Sequence, residues 1–397
     1  MKEKIVIDIV MLSNFGKQEG GRETWLHNFL PELLKDNRIS KVHLFGFRTS
    51  DQPDNSELLI GLDSNPESRV IPIILESAPT KYPKFIAMYK LLRRTLKTNS
   101  FKTPTYAIAV GGMLETLMLR RIGRFQNTTR VVWLRSIFTQ EKAYRIPSFG
   151  MSTVKYFEKN NLKKTADIII VNGDDTKNYY TQYNLSIHTI KNAVNIEKWQ
   201  MPSMQPSDIL HVAYIGRLSK VKGIEAYFDL AKNIKNTEFA SKFVFHVVGQ
   251  AYNYESEVIT LHKNGTITYH GGMSNEKLPD FMREIHICVA LTYVSEKLGG
   301  AGLSNALIEQ MAAEKIIVAW DNNAFNQILS EDCAYQVSQY DQTQLYNTFV
   351  EIHNNQGEAL QRASKTKQVV APYTMEAHVL KFKNVLNFDH SNTKSTY

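Results

Sequence analysis

The stretch GGAGLSNALIEQMAAEKIIVAW, residues 299–320, sets glycines, a short polar group and an acid in the order of a loop, a helix and a covered strand. Glycine-rich backbone entering a helix exposes free N–H groups. The helix dipole adds partial positive charge there, and together these suit an anion. Asn305 and Glu309 are four apart and share one helical face, while Leu303, Leu307 and Met311 share another that belongs in a core. An acid one turn inside the helix is poorly placed to touch phosphates. It is well placed to accept hydrogen bonds from hydroxyls beside them, such as those of a ribose. The expected ligand is a nucleoside diphosphate, with phosphates at the helix mouth and ribose on Glu309. The alternative is a glycine turn followed by a helix with a favourable N-terminal acid.

A second stretch, YIGRLSKVKG (214–223), ends a strand, turns at a glycine and flanks a short loop with Arg217 and Lys222 before Gly223 opens a helix. Arginine offers a bidentate fork and lysine a compact charge, so the pair suits a phosphate or pyrophosphate. A solvated loop with two common bases is the other reading. Near the start, FGKQEGGRETWLHNFLPELL (15–34) places Gly20 and Gly21 just before a helix. The spacing is not GxGxxG, so no dinucleotide fingerprint is met, and a plain turn with a helix cap stays open.

These motifs need strands to present them. The first half supplies KIVIDIV, KVHLFGF, RVIPIIL, YAIAV, RVVWL and DIIIV; the second supplies ILHVAYI, FVFHVV, ITYH, ICVAL and KIIVAW. Between them lie runs with helical spacing, such as Ile224, Tyr227, Phe228, Ala231 and Ile234. Alternation of this kind predicts an α/β chain with doubly wound parallel sheets, and 397 residues suit two of them. In such sheets ligands bind beyond the carboxyl ends of the strands, where the loop 214–223 would lie. The proline- and serine-bearing stretch MPSMQPSD (201–208) reads as the linker. The expected domains are 1–203 and 204–373, with a final segment, 374–397, whose Met375, Val379, Phe382 and Val385 line one helical face.

Bulk properties narrow the class. A hydrophobic share of 43% with 22% charged residues is that of a soluble globular protein. Cys288 and Cys333 have neither metal spacing nor a disulfide framework, which points to a reduced, cytoplasmic compartment. The amino-terminal MKEKIVIDIV reads as a first strand, and no run of about 20 apolar residues predicts a membrane span. The net charge of +8 is concentrated: Glu115 is the only acid between Pro79 and Gln140, against bases running from Lys81 to Arg135. Such a patch attracts an anionic substrate or surface. No nucleic-acid motif accompanies it, so nucleic acid is not an expected partner. The helical-looking KFIAMYKLLRRTLK (84–97) fits docking on an anionic membrane or a solvated basic face.

Taken in order, GGRETWLHNFL, YIGRLSKVKG and GLSNALIEQMAAEKIIVAW resemble the retaining GT-B glycosyltransferases of family 4. Supporting stretches are ADIIIVNGDDTKNYY, IHTIKNAVNIEKW, FHVVGQ and ITYHGGMSNEKLPDFM, so the likeness covers nearly the whole chain. The resemblance implies two Rossmann-like domains facing a cleft, the first for the acceptor and the second for a nucleotide-sugar, with a last helix crossing back to the first. It implies that Arg217 and Lys222 hold the donor diphosphate in place of a metal and that Glu309 holds the ribose. Gly302, Leu303, Ser304 and Asn305 match the backbone that receives phosphate or sugar oxygens, and Gly20 and Gly21 the loop that meets the diphosphate.

Two departures touch the chemistry. Family members usually carry a second glutamate eight residues before position 309, where this chain has Ala301; Glu296 is the candidate substitute. The histidine of many members after a mid-domain strand is not evident, and Arg135 stands near its place; an arginine there suits contact with phosphate or an anionic acceptor and cannot act as general base. The resemblance implies retaining transfer of a sugar from an NDP-sugar to a hydroxyl of a glycan or lipid-linked acceptor, without a cofactor or metal. The setting it implies is bacterial-type surface polysaccharide synthesis, at the inner face of the membrane. A GT-B sugar-nucleotide epimerase and a non-catalytic GT-B partner subunit are the competing expectations.

Overall fold

The computed structural model describes residues 4–15, 21–50, 59, 68–77, 104–122, 127–135, 137, 139, 148–294 and 303–388. The chain forms two compact units. One is Met1–Lys191 with Met375–Tyr397, and the other is Asn192–Thr374.

The first unit is built on a seven-stranded sheet: β1 Ile5–Val10, β2 Ile39–Thr49, β3 Val70–Ser77, β4 Tyr106–Gly111, β5 Thr129–Leu134, β6 Ile168–Val171 and β7 Ile187–Thr189. The order is β3-β2-β1-β4-β5-β6-β7, and every pairing is parallel. YAIAVG in β4 is buried along its whole length, as a strand covered on both faces must be. The order reverses between β1 and β4, and that reversal opens a crevice at the carboxyl edge.

The second unit repeats the plan with six parallel strands: β8 Leu210–Ile215, β9 Phe243–Val248, β10 Thr268–Tyr269, β11 Ile287–Ala290, β12 Ile316–Asp321 and β13 Tyr335–Ser338. Their order, β10-β9-β8-β11-β12-β13, reverses between β8 and β11. The helix Ile224–Lys235 buries the face its spacing announced, with Ile224, Tyr227, Phe228, Ala231 and Ile234 all at 1% exposure or less. The proline–serine stretch 201–208 lies inside this unit. Trp199 before it is buried in the unit's core, and Val194 pairs with Thr374 at the unit's other end.

The last helix, Met375–Val385, packs on the first, Gly21–Leu34. Phe382 meets Phe29 at 5.2 Å and stacks on Trp133 at 5.4 Å. The indole of Trp25 donates to His378 Nε2 at 2.9 Å, and His378 Nδ1 lies 2.8 Å from the carbonyl of Lys191. A carbonyl only accepts, so Nδ1 carries the proton and the imidazole is neutral. Burial, with the charge of Arg135 nearby, pushes the imidazolium form out of reach, down to about 3.

Candidate functional site

At the carboxyl end of β8 the chain leaves the sheet through Gly216, whose N–H donates to Val248 O at 2.9 Å. The end of β9 comes so close that a Cβ on Gly249 would lie 1.8 Å from Gly216 O. Only glycine permits that approach. Tyr214 Oη donates to the carbonyl of Arg217 at 3.0 Å, which fixes the backbone while the residue itself is exposed. A 3-10 turn, Lys220–Lys222, follows, and Gly223 opens the next helix at φ +76. A Cβ on Gly223 would sit 2.1 Å from Leu291 O, so the loop after β8 touches the segment after β11 backbone to backbone. Tyr293 N–H then donates to Val221 O at 2.8 Å. The half-buried Lys222 is therefore carried on a turn bolted to the second segment.

That second segment leads to the helix Asn305–Ala312. Its exit from β11 is held by Gln339, which accepts from Val294 N at 3.0 Å and from Asn322 Nδ2 at 3.2 Å. Ser304 is the N-cap, in extended backbone, and its hydroxyl makes no capping bond, so the first turn's N–H groups are not taken by that side chain. Leu303 is buried, Ser304 and Asn305 are half-buried, and Leu307 and Met311 enter the core. The side-chain amide of the buried Asn192 donates to Leu303 O. Its Oδ1 has no partner among the described residues.

Glu309, 7% exposed, sits one turn inside this helix. Asn275 Nδ2 donates to its Oε1 at 3.2 Å, and Lys198 Nζ donates to Asn275 Oδ1 at 2.6 Å. Burial pushes the Glu309 carboxyl up to about 7, against the Asn275 hydrogen bond and the Lys198 charge, which pull it down. Burial also lowers the Lys198 ammonium, opposed by Glu309 and Glu276. Lys198 and Asn275 escaped the sequence reading, although they lie in the stretches IEKW and GGMSNEK. No periodicity links them to a helix whose acid is 34 residues beyond Asn275.

In the first unit Gly21 is the exposed first residue of the helix Gly21–Leu34. The next residue, Arg22, donates to Glu115 Oε1 at 3.3 Å, and Glu115 Oε2 accepts from Gly112 N at 3.0 Å. Arg135 leaves β5 beside β4, its N–H donating to Gly111 O at 3.3 Å. Its guanidinium lies 4.9 Å over the Trp25 ring and 5.9 Å from that of Trp133. Burial first, and the Arg22 charge second, lower it to about 9. Of the expected basic region, Arg130 is committed to a forked pair with Asp167, at 3.1 and 2.9 Å. The bases from Lys81 to Lys102 lie outside the described residues, as do Gly20, Glu296, Ala301 and Gly302. Among the described residues no group of three or more metal-ligating side chains converges, and no helix is long and apolar enough to cross a membrane.

Residues 210–355 match the sequence pattern of the family described as Glycosyl transferases group 1. Comparison with curated proteins gives no match. Solved structures resemble the chain over nearly its whole length. Sucrose-phosphate synthase from Thermosynechococcus elongatus superimposes with a TM-score of 0.77 at 17% identity, covering 98% of this chain and 100% of that one. A glycosyltransferase from Rickettsia africae gives 0.71 at 15% identity, with coverage of 96% and 99%. Anabaena HepE, solved with UDP-glucose, gives 0.71 at 14% identity, with coverage of 97% and 100%. The fold is thus GT-B, with two parallel-sheet α/β units of seven and six strands.

Proposed function

We propose that the chain is a retaining, metal-independent glycosyltransferase of family 4 that moves a sugar from an NDP-sugar to a hydroxyl of a glycan or lipid-linked acceptor. One observation carries the reading. The loop bearing Arg217 and Lys222 meets, through Gly223 and Leu291, the segment that runs to a helix mouth whose Ser304 makes no side-chain capping bond, with a buried acid one turn inside. The match to Glycosyl transferases group 1 spans this region, and UDP-glucose in the Anabaena relative supports a nucleotide-sugar donor.

In this reading the helix mouth and the two cations hold the diphosphate, and Glu309 accepts from the ribose. The bond from the anomeric carbon to the diphosphate breaks on the face where the acceptor oxygen attacks, and the hydroxyl proton passes to the departing phosphate. Charge builds on that leaving group. The chain's work is to orient both partners and to stabilise that charge. The donor-binding set is Gly20, Gly21, Arg217, Lys222, Gly302, Leu303, Ser304, Asn305 and Glu309, with Glu296 in the role that Ala301 leaves open. We place the enzyme in the cytoplasm, in bacterial-type surface glycan synthesis. A contact with anionic membrane is supported by Tyr156 and Phe157, 64% and 56% exposed beside Lys155 on the helix Ser148–Thr165.

Screening UDP-, GDP- and ADP-sugars for thermal stabilisation tests donor binding, since a bound ligand raises apparent stability with its affinity. The stabilising donor is then given candidate acceptors. Transfer with the anomeric configuration retained supports the reading. An epimerised nucleotide-sugar formed without acceptor would replace it with the epimerase, and donor binding without turnover on any acceptor would favour the partner subunit. Flotation with anionic liposomes, in the parent and in Tyr156→Ser with Phe157→Ser, checks the membrane contact; equal recovery of both removes it.

A further inference from the structure

The sheet reversal of the first unit holds two guanidinium groups that the donor reading does not use. Arg135 comes from the end of β5 and is tied by its own N–H to the end of β4. Arg22 comes from the first turn of the helix that follows β1. Both lie where a doubly wound sheet takes its ligand. The neighbouring acid is already committed: Glu115, 6% exposed, is held by Gly112 and Arg22. Arg135 has no ion pair among the described residues, and its Nη1, shut off from solvent, has no hydrogen-bond partner among them. The Trp25 and Trp133 rings lie 4.9 and 5.9 Å from its guanidinium and offer no oxygen acceptor.

A guanidinium packed on indoles keeps the direction of its N–H fork, which a solvated arginine does not. Leaving such a donor buried and unmatched is costly, and a second cation nearby adds to the cost. An oxyanion placed between the two forks would answer both. We propose that Arg135, positioned by Trp25 and seconded by Arg22, binds an anionic group of the acceptor, a phosphate above all. This rests on reading the second unit as the donor site. It makes the acceptor a phosphorylated sugar or lipid-linked phosphate rather than a neutral glycan end.

The full-length protein, titrated with inorganic phosphate at constant ionic strength, reports through tryptophan fluorescence, because Trp25 and Trp133 flank the guanidinium. A saturable change is expected. It should survive in Arg217→Ala with Lys222→Ala, and weaken at least tenfold in Arg135→Met, which keeps the stacking stem without the charge. Arg135→Lys should recover part of the loss, while melting and circular dichroism verify that each variant is folded. No saturation in the parent, or equal affinity in Arg135→Met, overturns the proposal. So does a signal lost in the Arg217 and Lys222 variant alone, which would put the anion in the other unit. A nucleoside diphosphate that binds as much more weakly to Arg135→Met as phosphate does would also overturn it, since the anion would then be the donor's. Arg135-dependent phosphate binding with no nucleotide binding would sink the donor reading and leave this site standing; the converse result would do the reverse.

Discussion

The two sheet reversals solve the problem of holding charge in opposite ways. In the first unit the cation is the packed element: Arg135 lies on Trp25, and Trp25 is itself stacked on Phe29 at 4.6 Å and bonded to His378. In the second unit the acid is packed and a cation is open, with Glu309 at 7% exposure and Arg217 on an exposed loop. A packed charge gains direction and costs desolvation, whereas an exposed one keeps its hydration and loses direction until a ligand arrives. The first unit thus has an orienting device built into its core, and the second has an exposed contact carried on a turn hydrogen-bonded to the neighbouring segment.

Removing the core support should give the largest effect. Trp25→Ala deletes a side chain with no exposed surface, leaves His378 Nε2 without its donor and takes the ring from under Arg135. A loss of about 4 kcal/mol in unfolding free energy is expected, read by chemical denaturation. A loss below about 1 kcal/mol would mean that Arg135 owes nothing to the core.

Arg217→Ala is the opposite case. The side chain is exposed, so stability should stay within about 0.5 kcal/mol of the parent. Turnover should fall roughly a hundredfold, or about 3 kcal/mol in the transition state, if the residue meets charge on the leaving group. Near-normal turnover with the true substrates would remove it from the site and leave the second unit's case to Lys222 and the helix mouth.

Much of this was legible before any coordinates, and the reason is local. Strand runs such as YAIAV and KIIVAW are short, apolar and bounded, and the helix Ile224–Lys235 declares its buried face by spacing. The sequence predicts that Gly223 opens a helix, and it does, at φ +76 before Ile224–Lys235. What sequence could not supply is pairing at long range. Arg135 sits by Trp25 only because β1, β4 and β5 are neighbours in the sheet and Trp25, on the helix after β1, packs against Trp133 of β5. The sequence of the last helix shows an apolar face of Met375, Val379, Phe382 and Val385. Its polar His378, which bonds Trp25, is what no apolar pattern announces, and Val385 is only half-buried. Lys198 and Asn275, the partners of Glu309, hid for the same reason, since both look like surface residues until the sheet assembles.

Acid separates the units further. Four histidines lie in a row across adjacent strands of the second sheet: His270, His246, His211 and His286. His246 bonds His211 at 2.9 Å and His270 at 3.0 Å, and His286 Nδ1 accepts from His211 N at 3.1 Å. Burial, then His211, pushes His246 down from 6.5 to about 4. A histidine whose folded value is depressed binds its proton more readily when unfolded. Its contribution is intact above about pH 6.5 and is lost as pH falls toward 4. The ceiling for His246 is about 3 kcal/mol, and on the order of 2 kcal/mol is expected because His270 and His286 are pushed down beside it. His246→Gln keeps hydrogen-bonding groups without a proton to gain, so it should flatten the melting profile between pH 6.5 and 4. An unchanged slope would place the acid sensitivity in His286, which burial also lowers to about 4, or in His378 of the first unit, which is depressed further.

The smallest effect is the most informative about the ligand. With Glu309 pushed up to about 7, the folded protein holds a proton there between pH 4.5 and 7 that the unfolded chain has released. The sign is opposite to the histidines': this contribution is present below 4.5 and is lost as pH rises toward 7. A ribose donating to Glu309 favours the carboxylate, so binding an NDP-sugar, whose diphosphate has no group titrating in this range, should expel that proton below pH 7. Calorimetry at pH 6 in buffers of different ionisation enthalpy should show release approaching one proton, falling to almost none at pH 8.5 and absent in Glu309→Gln. Asn275→Ala removes the hydrogen bond that lowers the carboxyl, shifting the window upward and weakening binding by about 1 kcal/mol. Binding at pH 6 with no proton released would mean that the ligand leaves Glu309 untouched. The acid would then be a structural partner of Asn275 and Lys198, and the first unit would hold the only charge oriented for a ligand among the described residues.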